Sequence, residues 1–127
     1  MKTQTLQLLA TTDYGTASGN YDGSSSSFNG DAVKAAAYSS STGTSQTVGI
    51  FTEDLIGNVV VQATVDSTVA SDSWFDVYTF SGDGSSTNDT DARYYNLSQN
   101  ITGRYTWMRV KVEGFTQGVI HKVTLSY

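Results

Sequence analysis

The chain has 127 residues and no cysteine, which excludes disulfides, thiolate metal sites and cysteine nucleophiles. Seven basic and 12 acidic residues give a net charge of −5, and a surface of that sign repels the phosphate backbones of nucleic acids. No segment is long and apolar enough to span a membrane, and the apolar run near the N-terminus is too short for the core of a signal peptide. We therefore expect a chain that is not exported by the usual signal and that binds neither nucleic acid nor membrane.

The N-terminal third combines a strand with a long loop. Residues 3–9 alternate between apolar and polar side chains, which predicts a first strand. Residues 11–31 are rich in Gly, Ser and Asn, but Tyr14, Tyr21 and Phe28 recur at seven-residue intervals, which favours an ordered loop pinned by aromatic side chains. Residues 33–38 contain three alanines, and we interpret them as a strand because a helix there would be short and uncapped.

The centre of the chain is rich in β-branched residues. Residues 47–51 and 58–65 predict a hairpin that turns at Gly57 and Asn58. Gln62 lies within the valine run of the second strand and must find hydrogen-bond partners if it is buried. Residues 74–80 have apolar side chains on both faces, which predicts a strand that is central or covered by a neighbour.

Residues 104–127 predict a second hairpin, whose first strand has two different faces. Met108, Val110 and Val112 alternate with Trp107, Arg109 and Lys111, so one face is apolar and the other is aromatic and basic.

Seven or eight short strands without a helical period predict an all-β fold. We predict an antiparallel two-sheet β-sandwich, jelly-roll-like, with long ordered loops, in a single domain over residues 1–127.

Catalysis and metal binding have little support. The single histidine, His121, falls on the same strand face as Val123 and Leu125, has no partner at a motif spacing, and is interpreted as structural. A calcium site in the loop that contains Asp83, Asn88, Asp89 and Asp91 is an alternative to a solvated acidic loop, but the ligand spacing of a known calcium motif is missing. We predict no enzyme, no cofactor and no metal.

The outward aromatic and basic side chains leave two interpretations open. In one, Tyr105, Trp107, Arg109 and Lys111 form a contact surface for a protein or for a sugar ring stacked on Trp107. In the other, the long loops fold over this face, or a bulge turns Trp107 inward.

Three segments carry a resemblance to a known class of protein. They are residues 11–28, residues 46–80, which contain Thr47-Val48, Gly57, Gln62-Ala63-Thr64 and Trp74-Phe75, and residues 100–127, which contain Gly103, Tyr105, Trp107, Arg109, Phe115, Gly118, Ile120 and Tyr127. Together these segments resemble small virion structural proteins of tailed bacteriophages, particularly those that infect marine cyanobacteria. Similar proteins often have a proline just before the Trp-Phe pair, in the turn at residues 69–72, and this chain has none.

The resemblance implies a noncatalytic building block of a phage particle, assembled in the bacterial cytoplasm with other virion proteins and present in many copies. We predict a capsid decoration or cement protein, or a tail-associated assembly subunit. The alternative is a carbohydrate-binding, receptor-recognition module of a tail fibre. In either case the predicted interaction surface consists of Tyr14, Tyr21, Phe28, Tyr105, Trp107, Arg109 and Lys111.

Overall fold

A computed structural model of the protein describes residues 5–40, 42–70, 73–84 and 94–127. In chain order the elements are β1 (Thr5–Leu9), β2 (Thr12–Asp13), β3 (Phe28–Asn29), β4 (Val33–Lys34), α1 (Ala36–Ser39), β5 (Ser45–Thr64), β6 (Phe75–Asp83), β7 (Tyr94–Thr102) and β8 (Trp107–Ser126). These eight strands belong to one sheet with antiparallel pairing, which confirms the prediction of an all-β, antiparallel fold. No helix in these ranges is long and apolar enough to cross a bilayer.

The sheet is built on two long strands, β5 and β8, each of 20 residues. They pair with each other from Thr47 opposite Ser126 to Thr64 opposite Trp107. Both predicted hairpins are therefore wrong, because each is a single strand. The glycines that suggest tight turns lie inside the strands, where they permit bulges instead.

Bulges bend the two long strands at the same place. The pairing of β5 with β8 shifts register three times between Phe51 and Asn58. The residues with positive φ at this bend are Asp54 (51°), Gly57 (147°), Gly114 (64°) and Gly118 (94°). Gly118 is required there, since a Cβ atom would lie only 2.5 Å from the carbonyl oxygen of Asp54. The close approach of the two backbones therefore depends on a missing side chain.

The bend divides the sheet into two halves. The first half-sheet consists of β1 and β2, the C-terminal part of β8, the N-terminal part of β5, and β7. The second consists of β3 and β4, the N-terminal part of β8, the C-terminal part of β5, and β6. Both halves supply side chains to one core cluster, which includes Leu8, Val48, Ile50, Val59, Val61, Ala63, Met108, Val110, Val112, Phe115, Ile120, Val123 and Leu125. Two separate sheets are not confirmed, because β5 and β8 run through both halves.

The interpretation of residues 33–38 as a strand is wrong beyond Lys34. The chain forms one helical turn at Ala36–Ser39, and Ala35 and Ala36 are buried. The amide oxygen of Gln46 accepts a hydrogen bond from the Ala36 N–H at 3.3 Å, which satisfies a donor at the start of the turn. Small side chains allow this turn to pack closely against the sheet.

The prediction that residues 74–80 form a central or covered strand is also wrong. Among the described residues β6 pairs only with β5, so it lies at an edge of the sheet. The register shifts between Val61 and Gln62, and this irregularity lets both Val77 and Tyr78 pack against the core. Phe75, at the start of the strand, is 54% exposed.

Candidate functional site

The outer face of the second half-sheet, opposite the core, carries the predicted aromatic and basic side chains. Met108, Val110 and Val112 are fully buried, while Trp107, Arg109 and Lys111 are partly exposed, as the alternation of β8 predicts. Cross-strand pairing places Lys34 and Thr64 beside Trp107, Gln62 beside Arg109, and Asn29 and Val60 beside Lys111.

One end of the outer face is an aromatic patch, which we define as Lys34, Tyr38 and Trp107. The Tyr38 and Trp107 rings meet edge to face with their centroids 5.1 Å apart, and the Lys34 ammonium lies 4.5 Å from the centre of the Tyr38 ring. Tyr38 is 44% exposed. Sequence reasoning missed Tyr38, because its place in the patch depends on the helical turn that was interpreted as a strand.

A loop covers part of the outer face beside this patch. The hydroxyl of Thr106 donates to the carbonyl oxygens of Thr64 and Asp66, and the Trp107 indole N–H donates to the carbonyl oxygen of Ser67 at 3.4 Å. The covering loop thus follows β5, and it leaves Trp107 partly exposed. Tyr105 lies just before β8 and was predicted to belong to the contact surface. Its side chain is partly buried and packs against the core.

Arg109 is held in place from two sides. Its Nε donates to the Gln62 side-chain oxygen at 2.8 Å, and its guanidinium lies 4.4 Å from the centre of the Trp74 ring. The Gln62 amide nitrogen donates in turn to an Asp76 carboxylate oxygen at 2.7 Å, so the predicted partners of this buried amide are present. Burial lowers the pKa of Arg109 from its usual value, yet a guanidinium remains charged at physiological pH.

A cleft of about 480 Å³ opens beside this arrangement. We call it the Arg109 cleft, and its lining consists of Ser27, Phe28, Asn29, Gln62, Trp74, Arg109 and Lys111. The Lys111 ammonium lies 3.3 Å from a Glu113 carboxylate oxygen. The buried indole nitrogen of Trp74 has no hydrogen-bond partner among the described residues. The cleft therefore combines two cations, the Trp74 side chain and several hydrogen-bonding groups, while the Phe28 ring packs toward the core.

The N-terminal aromatics form a separate cluster around Phe115. The ring of Tyr14 lies 5.5 Å from that of Phe115, Tyr21 lies 5.3 Å from it, and Phe28 lies 6.4 Å from it. The predicted ordered loop is confirmed. Tyr21, however, is only 1% exposed, and its hydroxyl oxygen accepts the Gly15 N–H at 3.0 Å. Its place in the predicted interaction surface is corrected accordingly, whereas Tyr14 is 44% exposed and Phe28 is partly exposed beside the cleft.

His121 has a partner that sequence reasoning missed. Its Nε2 lies 3.0 Å from a carboxylate oxygen of Glu53, which is 68 positions away in the chain. Because the register shifts between Lys122 and Ile120, His121 is partly exposed and does not share the buried face of Val123. No sequence spacing could have indicated this pair, since it depends on the pairing of β5 with β8.

No group of three or more potential metal ligands of the types His, Cys, Asp and Glu occurs within the described ranges. The residues considered for calcium, Asn88, Asp89 and Asp91, lie outside those ranges, while Asp83 ends β6.

Comparison with known proteins gives no identification. The chain matches no protein-family model, and no curated protein is significantly similar to it.

Proposed function

We propose that the chain is a noncatalytic structural subunit of a tailed-bacteriophage particle, a capsid decoration or cement protein or a tail-associated assembly subunit. It works by adding contact area between itself and neighbouring virion proteins. The resemblance of its three sequence segments to phage structural proteins supports the kind of particle, and the aromatic patch on the outer face supports the mode of action.

The observation that carries the mode of action is the partial exposure of Trp107 beside the 44% exposed Tyr38. Tryptophan, tyrosine and arginine are the side chains that most often anchor protein interfaces. The rings of tryptophan and tyrosine bury a large area with little loss of conformational freedom. Here the rings extend from a paired strand and from a turn whose start is hydrogen-bonded to the sheet, so a partner would meet a preorganised surface.

Cryo-electron microscopy of the particle tests this proposal. Regular density for the chain over the capsid, neck or tail is expected, with Trp107 against a neighbouring subunit. The Trp107→Ala variant should lower the occupancy of the chain on the particle, whereas Phe75→Ala, which removes an exposed aromatic ring outside the patch, should leave occupancy unchanged. Absence of the chain from all particles would refute the proposal.

A second candidate is the carbohydrate-binding, receptor-recognition module of a tail fibre. The partly exposed Trp107 ring and the Arg109 cleft, on the same face of β8, favour it, because sugar sites combine aromatic rings with groups that hydrogen-bond hydroxyls. Glycan-array binding by the wild-type chain that is lost in Trp107→Ala would favour this candidate, while particles that lose only subunit contacts in that variant would favour the first.

A further inference from the structure

We propose that the Arg109 cleft binds an acidic saccharide, a sugar ring whose carboxylate pairs with the terminal Nη groups of Arg109. The inference rests on the carbohydrate-binding candidate and deepens it by naming the ligand class and the residues. It also moves the main contact from Trp107 to Arg109.

The geometry of Arg109 supports a carboxylate. Gln62 occupies its Nε, and the guanidinium carbon lies 4.4 Å from the centre of the Trp74 ring, so the orientation of the group is fixed by two contacts. Among the described residues no carboxylate forms an ion pair with Arg109, and no acceptor bonds its Nη atoms. A planar guanidinium whose terminal donors remain free matches the two oxygens of a carboxylate.

The chemistry of the remaining lining supports a sugar rather than a bare anion. The Ser27 hydroxyl and the Asn29 side-chain amide line the cleft and have no hydrogen-bond partner among the described residues, so both are free for sugar hydroxyls. The Trp74 side chain adds apolar surface for the carbon face of a sugar ring. The volume of about 480 Å³ lies within the range of small-molecule sites, about 300–1,000 Å³, and exceeds what one carboxylate side chain fills.

The cations of the cleft favour acidic sugars over neutral ones. The chain as a whole carries a net charge of −5, so an acidic saccharide is repelled by most of its surface. Arg109 and Lys111 lie two positions apart on the same face of β8, and both line the cleft. Although Glu113 pairs with Lys111, Arg109 keeps its full charge for a ligand. An acidic sugar should therefore bind here in preference to other parts of the surface, and its affinity should fall with rising salt.

Isothermal titration calorimetry of the full chain tests the inference with three probes: methyl glucuronide, methyl glucoside and acetate. Methyl glucuronide should bind at least about tenfold more tightly than methyl glucoside, because it adds a charge-assisted, bidentate contact worth roughly that factor. It should also bind more tightly than acetate, because the sugar ring adds hydroxyl and apolar contacts that acetate lacks. Arg109→Gln should weaken methyl glucuronide binding by about tenfold or more. Lys34→Gln, which removes a cation from the same outer face outside the cleft, should leave the affinity unchanged.

Two further measurements separate binding from folding. Asn29→Ala changes an exposed residue, and it should lower the affinity for methyl glucuronide without altering the melting temperature of the protein. In two-dimensional NMR the indole N–H resonance of Trp74 should shift on addition of methyl glucuronide, while that of Trp107 should not.

The outcomes distinguish the inference from the candidate on which it rests. Equal affinity for acetate and methyl glucuronide would indicate a simple anion site and overturn the inference. Binding of neutral glycans that requires Trp107 but not Arg109 would overturn it and leave the carbohydrate-binding candidate standing. Absence of binding to any glycan would refute both. A further outcome is that sedimentation shows self-association that Arg109→Gln abolishes, with no sugar binding. That result would assign the cleft to a carboxylate of a second copy of the chain and refute the saccharide proposal.

Discussion

The bend shared by β5 and β8 can be tested with a pair of glycine substitutions. Gly114 and Gly118 both lie in β8 with positive φ angles, 64° and 94°. Alanine at either position must adopt a left-handed conformation, at a cost of about 1–2 kcal/mol. It also reduces the conformational freedom of the unfolded chain, and this effect is the same at both positions. The two substitutions differ in what the new methyl group meets.

At Gly114 an added Cβ has no atom within 4 Å, whereas at Gly118 it would lie 2.5 and 2.6 Å from the carbonyl oxygen and carbon of Asp54. Those atoms belong to the backbone and cannot rotate away, so β8 must separate from β5. The separation strains the Tyr14 N–H bond to the Gly118 carbonyl oxygen and the Gln117 side-chain bond to the Asp54 carbonyl oxygen, both 3.0 Å long. Each lost bond costs about 1 kcal/mol.

We therefore expect Gly114→Ala to lower the free energy of unfolding by about 1–2 kcal/mol and Gly118→Ala by about 3–4 kcal/mol. Urea denaturation followed by tryptophan fluorescence measures both, with the slope of the transition as a check on two-state behaviour. A difference between the variants smaller than about 0.5 kcal/mol, the usual uncertainty of additivity, would refute the argument that backbone contact at Gly118 maintains the bend.

Three further predictions concern other parts of the fold. Phe115→Ala should lower the free energy of unfolding by about 3–5 kcal/mol, because a fully buried ring at the centre of the N-terminal aromatic cluster is lost, and a loss below about 1 kcal/mol in urea denaturation would contradict this. The Ser25 hydroxyl and N–H hold the pKa of the Asp22 carboxyl at about 2, below its ordinary 3.8, so its contribution to stability is complete above pH 3.8 and is lost as the pH falls through about 2. In an NMR titration Ser25→Ala, which removes the hydroxyl and keeps the N–H, should raise this midpoint, and an unchanged midpoint would exclude the Ser25 hydroxyl as a cause. Gln62→Met should lower the free energy of unfolding by about 1–3 kcal/mol, because Asp76 and Arg109 each lose a hydrogen-bond partner; a matched Thr79→Ala change on the exposed part of β6 should cost less than 0.5 kcal/mol in the same assay.

The alternation along β8 could be predicted because it is local. A strand turns successive side chains to opposite faces, so the apolar set Met108, Val110 and Val112 implied the outward position of Trp107 and Arg109 before any partner strand was known. The composition of the chain indicated an all-β fold for a similar reason, since the preference of β-branched and aromatic residues for strands acts residue by residue.

The long strands could not be recognised from the sequence. A glycine with positive φ serves a hairpin turn and a β-bulge equally well, and only the partner strand decides between them. Gly57 and Gly118 lie in bulges because β5 and β8 continue to pair on both sides of them. The choice is made by contacts between segments far apart in the chain, which local patterns do not contain.

The cleft was missed for the same reason. Its main polar contact joins Gln62 to Arg109 across two strands, and Trp74 packs on the guanidinium from the start of a third. The sequence indicated that Gln62 needs partners but not which ones. Likewise, the spacing of Tyr14, Tyr21 and Phe28 predicted an ordered loop without showing which ring points inward, because that depends on the position of Phe115.

The pairing of β8 has a consequence for how the chain acquires its fold. β8 pairs with β1, β2, β3, β4 and β5, so the four N-terminal strands and one edge of β5 have no partner until the C-terminal strand has been synthesised, although β5 also pairs with β6 and β7. Sheets dominated by such distant contacts fold slowly, because the chain must close long loops before their pairing energy is gained. On a ribosome β5, β6 and β7 could therefore pair before β8 has emerged, while β1 to β4 could join the sheet only after β8 is available.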